Sequence, residues 1–311
     1  MSVYTPLSHR QLAAVLDGYG FRLRDYRAAS HGIENSTFLI EAEDRHQQPA
    51  ALVLTVFETL THAALAPYLV LLAHLAEQGL PVPAPLTDHG GQDQITVAGK
   101  PAVLMPRLPG EHDFAVDLDR CRQVGALLAR LHQCDTRALQ ALPDERQRLE
   151  RLATHLHQLP DEHREGATAL LSDWQARPTG TTLIHGDLFR DNLLWQQGRI
   201  SALLDFYNAC LDYPEYDLAV TLNDWCVDSN GKPVAEREQA LLESYREFGG
   251  QVDDSLLLEA LAVAALRFWL SRQIAAEEFA GQDGVLVKDP QHFARLLLQH
   301  RVVAVGLPLA L

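Results

Sequence analysis

Hydrophobic positions change their period along this chain. In the first third, short runs alternate between apolar and polar residues, which is the pattern of strands with one buried face. Strands are expected at Phe21–Arg27, Ser36–Ala42 and Ala51–Phe57, and the polar segment Glu43–Pro49 joins the last two as a hairpin. Ahead of them, Ser8 followed by Gln11 is a capping-box pattern, predicting a short helix over Gln11–Asp17 that Gly18 and Gly20 stop. After them, Leu65, Leu69, Leu72, Leu75 and Ala76 fall at helical spacing. A helix over about Ala64–Gln78 follows, with Gly79 as its stop. The Pro-rich run Pro81–Pro85 leads to a second hairpin near Ile95–Val97 and Ala102–Arg107, and Pro106, Pro109 and Gly110 then punctuate the chain. From Asp117 to about Pro178 the period is mainly helical. The apolar runs Thr181–Ile184 and Ile200–Phe206 interrupt it, and helices dominate again from Tyr216. Strands first and helices afterwards make an α+β chain of two lobes, with a junction near Leu108–Glu111: residues 1–108 form a small antiparallel-sheet lobe, 109–311 a larger helical one.

Composition adds exclusions. The 311 residues are 47% apolar and 22% charged, as in an ordinary globular protein, and the formal net charge of −15 argues against nucleic-acid or anionic-membrane binding. The opening MSVYTPLSHR lacks the charged-then-apolar pattern of a signal peptide. Leu256–Leu270 is broken by Glu259 and Arg267, so it reads as a buried helix and not a membrane span. Cys121, Cys134, Cys210 and Cys226 form no CxxC pair, and reduced, buried thiols of a cytoplasmic protein are expected.

The chemistry concentrates in His185-Gly186-Asp187-Leu188-Phe189-Arg190-Asp191-Asn192, of the form H-x-D-x-x-x-x-N, followed by the strand Ala202-Leu203-Leu204-Asp205-Phe206. Phosphoryl transfer needs a carboxylate that orients the attacking hydroxyl and takes its proton, and hard oxygen ligands for Mg²⁺ on the phosphates. Asp187 suits the first task, Asn192 and Asp205 the second. Singly, each is an ordinary turn or cap residue; the order and spacing together point to catalysis. His185 is expected to brace the loop. Asp217 either complements the dipole of the helix it begins or holds the backbone of the catalytic loop.

These segments, with Asp217-Leu218-Ala219, resemble the aminoglycoside phosphotransferase and choline kinase superfamily, which shares the bilobal protein-kinase-like fold. The resemblance implies ATP and Mg²⁺ as cofactors, Asp187 as base, Asn192 and Asp205 on the metal, and adenine at a hinge over Met105–Leu108. A closer likeness is to the homoserine kinases of this fold. It rests on Val3-Tyr4-Thr5, Gly32–Ser36, Val53–Glu58, Gly99–Ala102, Asp205–Cys210, Leu222–Cys226 and Ala265–Phe268. It implies that L-homoserine is the acceptor and O-phospho-L-homoserine the product, a step toward threonine.

Two departures from the general kinase pattern stand out. The third-strand position usually held by a phosphate-binding lysine is Thr55, and the chain has only Lys100, Lys232 and Lys288. Either another cation reaches the phosphates or the metal ions neutralise more of their charge. The loop Ser30–Thr37 has one glycine; Gly32, Asn35 and Ser36 either present backbone N–H groups and a hydroxyl to phosphate or form a plain hairpin turn. For the acceptor, Arg267, with Arg272, suits a carboxylate, or both arginines meet solvent or Glu277 and Glu278. Asp224 or Asp212 suits the ammonium, and Tyr207, Asn223 and Trp225 line the pocket, unless Trp225 is core. The competing readings are a kinase for an aminoglycoside, choline, a sugar or hydroxylysine, and a non-catalytic nucleotide-binding scaffold.

Overall fold

The computed structural model describes residues 5–29, 35–136, 142, 145–278 and 289–305. The described chain falls into two compact units. The first holds residues within Met1–Gly110 and Ser201–Tyr207; the second holds those within Glu111–Ile200, Asn208–Gly281 and Val287–Leu311.

The first unit is built on a five-stranded antiparallel sheet. Its strands are β1 (Arg22–Ala28), β2 (Asn35–Glu43), β3 (Pro49–Phe57), β4 (Ile95–Val97) and β5 (Lys100–Pro106), in spatial order β1-β2-β3-β5-β4. Alternate residues Phe38 and Ile40, Leu52, Leu54 and Val56, and Ala102 and Leu104 bury one face against Leu12 and Leu16 of helix α1 (His9–Asp17). The expected capping box forms: Ser8 accepts from the Gln11 backbone, and the Gln11 side chain accepts from the Ser8 N–H. Helix α2 (His62–Glu77) starts at an N-capping Thr61 and buries Leu65, Leu69, Leu72 and Leu75, the residues whose spacing predicts it.

The second unit is mainly helical: α3 (Leu118–His132), α4 (Glu145–Ala153), α5 (Asp161–Gln175), α6 (Pro214–Trp225), α7 (Ala235–Glu247), α8 (Asp254–Glu278) and α9 (Gln291–Val305). Pro214 opens α6 from the first turn, two residues ahead of the expected start, where the missing N–H of proline costs no helical bond. Strand β6 (Thr182–Ile184) precedes two unanticipated elements, β7 (Leu193–Gln196) and, past β8 (Arg199–Leu203), β9 (Cys210–Asp212). Runs of three or four residues carry too little pattern to separate from a loop. The run expected as strand through Phe206 ends at Leu203, and Phe206–Asn208 form a 3₁₀ turn. β6 and β9 pair antiparallel, Ile184 opposite Cys210 and Thr182 opposite Asp212. That short pairing sets the end of β6 beside the start of α6, which fixes where the loop from His185 begins.

The α+β class and its antiparallel first sheet agree with the expectation from periodicity. Among the described residues no helix is long and apolar enough to cross a membrane, and α8 carries the buried run expected of Leu256–Leu270.

α3 and α7 approach at Gly125, where an added Cβ would lie 2.2 Å from the Leu241 carbonyl oxygen. Gly125→Ala is expected to lower stability by about 1–3 kcal/mol, because backbone and not a side-chain tip must give way. A denaturant midpoint unchanged from wild type would refute this tight approach.

Candidate active site

β6 ends in two fully buried residues, Leu183 and Ile184, and the chain turns at once through His185-Gly186-Asp187. Gly186 has φ +74°, and a Cβ there would meet the Asn208 carbonyl oxygen at 2.6 Å, so only glycine fits. Two backbone donors of this turn end on one carboxylate. Asp217 Oδ2 accepts the His185 N–H at 2.8 Å and Oδ1 the Gly186 N–H at 2.8 Å. Asp217 is wholly buried in the first turn of α6 and also meets His132 Nε2 at 3.1 Å, whose Nδ1 lies 2.8 Å from the Tyr245 hydroxyl. Of the two roles open to Asp217, the loop-holding one is therefore made. Burial opposes its charge, yet the His132 hydrogen bond and charge, with the His185 N–H, keep its carboxyl below the usual carboxylate range. His185 braces the same turn: it is buried, and its Nδ1 accepts the Asp187 N–H at 3.3 Å.

Beyond the turn, the Asn192 amide nitrogen donates to the Asp187 carbonyl at 2.8 Å, which leaves its oxygen as the side chain's remaining acceptor. The Asp187 carboxylate receives the Asn208 amide at 3.3 Å on Oδ2 and has Arg267 Nη1 3.9 Å from Oδ1. Arg190 is bound to Asp224 through its backbone N–H (2.8 Å) and both sides of its guanidinium (3.1 Å each), which docks the loop on the end of α6.

Four residues expected around the acceptor have other duties here. Arg267 is 5% exposed and donates to the Gly186 carbonyl at 2.7 Å and to Asn208 Oδ1 at 3.4 Å, so it supports the catalytic loop and its fork is not open to a carboxylate. Asn223 is buried, donating to the Leu261 carbonyl at 3.1 Å and accepting from His300 Nε2 at 2.7 Å; burial pushes His300 down to about 4, leaving its ring neutral. It joins α6 to α8 and α9. Asp224 is spoken for by Arg190. Trp225 is fully buried against Trp195, as in its core alternative. Tyr207, in the first unit, packs edge-on against Phe57 at 4.8 Å and Tyr68 at 5.8 Å.

In the first unit, Thr55 is half-buried, opposite Thr37 on β2 and Val103 on β5, and Met105 lies opposite Val53. Leu108 follows β5 in irregular chain. Asn35 Oδ1 accepts the Glu58 N–H at 3.3 Å. The Ser36 hydroxyl, expected on phosphate, is buried: it accepts the Thr5 N–H at 2.9 Å and donates to Glu58 at 2.6 Å. That expectation is corrected, because both hydrogen-bonding roles of the hydroxyl are used internally. Gly32 lies outside the described residues. Asp205 is exposed with φ +64°, a conformation that Asp enters more readily than most residues and that marks functional turns. An exposed carboxylate at Asp205 and an amide oxygen at Asn192 are hard donors that fit Mg²⁺.

Sequence reasoning gave no role to Asn208, His132, Tyr245 or Arg148, which donates to the Asn208 carbonyl at 3.2 Å. Asn208 sits inside the quoted Asp205–Cys210 segment; the others carry no local signal.

Residues 25–250 match the model of the phosphotransferase enzyme family. A homoserine kinase of Pseudomonas aeruginosa is 40% identical over 100% of both chains, and one of Cupriavidus taiwanensis is 35% identical over 96% of this chain and 94% of its own. Among solved structures, amicoumacin kinase hAmiN in complex with AMP-PNP, Ca²⁺ and Ami aligns with a TM-score of 0.70 at 15% identity, covering 97% of each chain. A hygromycin B and ADP complex of an aminoglycoside phosphotransferase aligns with a TM-score of 0.62 at 15% identity, over 94% of this chain and 97% of its own. At these identities the solved structures speak for the fold alone, which is protein-kinase-like.

Asp217→Asn offers one oxygen where two backbone N–H groups need acceptors, and is expected to cost about 1–3 kcal/mol and to depress turnover. A depressed folded pKa stabilises above the unfolded value of about 3.9 and is lost as pH falls through the folded one. Thermal midpoints from pH 7 to 2.5 should fall more steeply in wild type than in Asp217→Asn. Parallel curves would remove Asp217 from the acid transition.

Proposed function

From a chain that belongs to the phosphotransferase enzyme family, we infer an ATP-dependent kinase that phosphorylates the side-chain hydroxyl of L-homoserine. The observation that carries the reading is the full-length likeness to curated homoserine kinases. Kinase relatives imply ATP and a small-molecule acceptor; the choice of homoserine is the finer part of the proposal. Residues 1–108 serve the nucleotide and 109–311 the base and the acceptor.

Asp187 is the base. Its carboxylate is oriented by the Asn208 amide and lies near the Arg267 guanidinium, and it takes the proton of the acceptor hydroxyl. The Asp217 clamp fixes the backbone from which that carboxylate projects, and pre-set orientation is most of what a protein contributes to phosphoryl transfer. The hydroxyl oxygen attacks the γ-phosphorus, its proton passes to Asp187, and ADP leaves. Asn192 and Asp205 would hold Mg²⁺, which when bound offsets the charge of the phosphate oxygens. Met105 and Leu108 take the adenine, and Asn35 and Thr55 lie toward the phosphates. The buried cysteines Cys121, Cys134, Cys210 and Cys226, none in a disulfide among the described residues, suit a cytoplasmic setting.

The test is ADP release with Mg²⁺-ATP and L-homoserine, choline, kanamycin or a hexose. Homoserine alone should stimulate it, and Asp187→Asn should lower the stimulated rate by about 10²–10⁴ at an unchanged melting temperature. Stimulation by another acceptor transfers the chemistry to that substrate. Near-normal turnover in Asp187→Asn would sink the assignment of the base.

A further inference from the structure

Helix α8 carries two arginines near the catalytic loop, in opposite electrostatic situations. Arg267 is satisfied by the Gly186 carbonyl and Asn208. Arg272, five residues on, is half-buried, with its guanidinium carbon 4.3 Å above the Phe293 ring. Phe293 stacks on Phe268 at 5.2 Å and meets Phe189 at 6.1 Å, and Phe189 stands two residues past Asp187. Of its five N–H donors, Arg272 uses one among the described residues, to the Asp289 carbonyl at 3.3 Å.

Carboxylates lie in its neighbourhood, yet they are directed elsewhere. Asp224, Asp191, Asp187 and Asp289 all act on its charge. Asp224 is held by Arg190, while Arg267 stands 3.9 Å from Asp187 and Arg295 3.9 Å from Asp289. Among the described residues none forms an ion pair with Arg272. Burial draws the guanidinium below its usual value against the pull of those acids. His292 adds no second positive charge beside it, since burial and Arg272 itself press it toward the neutral form. A half-buried cation with unused donors is unfavourable unless a ligand brings the counter-charge.

We propose that Arg272 recognises the carboxylate of the amino-acid acceptor, its planar fork taking both oxygens. The surrounding acids favour a zwitterion over a phosphate: a multiply charged anion would be repelled by their summed field, whereas that field attracts the ammonium of an amino acid while the arginine takes its carboxylate. Arg267 is thereby a loop-positioning residue and Arg272 the acceptor-binding one. The inference rests on homoserine as the acceptor.

The experiment compares kcat/KM for L-homoserine with that for 3-aminopropan-1-ol, the same acceptor without its carboxylate, in wild type, Arg272→Gln and Arg272→Lys. KM for ATP and the melting temperature are followed alongside. Wild type should prefer homoserine by on the order of a hundredfold or more, because unpaired polar groups in a built site reject the truncated analogue. Arg272→Gln should reduce that preference to a few-fold, through KM for homoserine, with KM for ATP unchanged. Arg272→Lys keeps a charge without the fork and should fall between. Undiminished preference in Arg272→Gln overturns the assignment and leaves the kinase reading intact. If the glutamine variant does not fold, Arg272→Lys decides, and a wild-type KM for homoserine overturns the proposal. A wild type that phosphorylates neither acceptor overturns the homoserine reading instead.

Discussion

One buried carboxylate sets the geometry of the second unit's chemistry. Asp217 is sealed from water and could not stay charged there without donors, and it has three: two successive backbone N–H groups of the catalytic loop and the ring of His132. The exchange works in both directions. The loop N–H groups, buried at the end of a three-residue strand, would be orphaned without an acceptor. The carboxylate would be expelled without them. α6 and the loop are thus locked together by an interaction neither could abandon singly. The Gly186 turn admits no side chain because the Asn208 carbonyl already occupies that space.

Around this clamp the arginines are sorted by what remains of their donors. Arg190 holds Asp224 and docks the loop, Arg267 supports the Gly186 carbonyl beside Asp187, and Arg272 uses one donor among the described residues. A chain with formal charge −15 therefore sets cations where its reactive loop needs them, and leaves acidic groups in excess around them. That local arrangement, more than the net charge, suits a small zwitterion.

Much of the fold was legible because periodicity and punctuation agree. Alternation at 36–42 and 51–57 and the leucine spacing from Leu65 to Leu75 each report a burial requirement local to one element. The catalytic loop was legible because its residues are close in sequence. What escaped is what tertiary contact decides. His132 reaches Asp217 across 85 residues and meets Tyr245 across 113, and nothing about a histidine at a helix end announces this. Asn223 and Trp225 looked like pocket residues from their neighbours in sequence, but a helix buried on nearly every side turns such residues into packing. Arg267 failed as a carboxylate partner for the same reason: its partner is a backbone carbonyl 81 residues away.

The missing strand lysine has a structural answer within the first unit. Lys100 is the cation on β5, but alternation puts it on the side of Ala102 and Leu104, which face α1, whereas Thr55 pairs with Val103 on the other side. Lys100 is bound there to Glu58, and donates to Thr5 at 2.9 Å. Glu58 also takes Ser36 and Thr5, and although burial opposes its charge, Lys100, Ser36 and Thr5 hold its carboxyl below the usual value. This cluster ties the residues before α1 to the start of β2, the end of β3 and the start of β5. A lysine so engaged cannot turn through the sheet to stand in for the one absent at Thr55. Its charge stabilises the frame of the sheet.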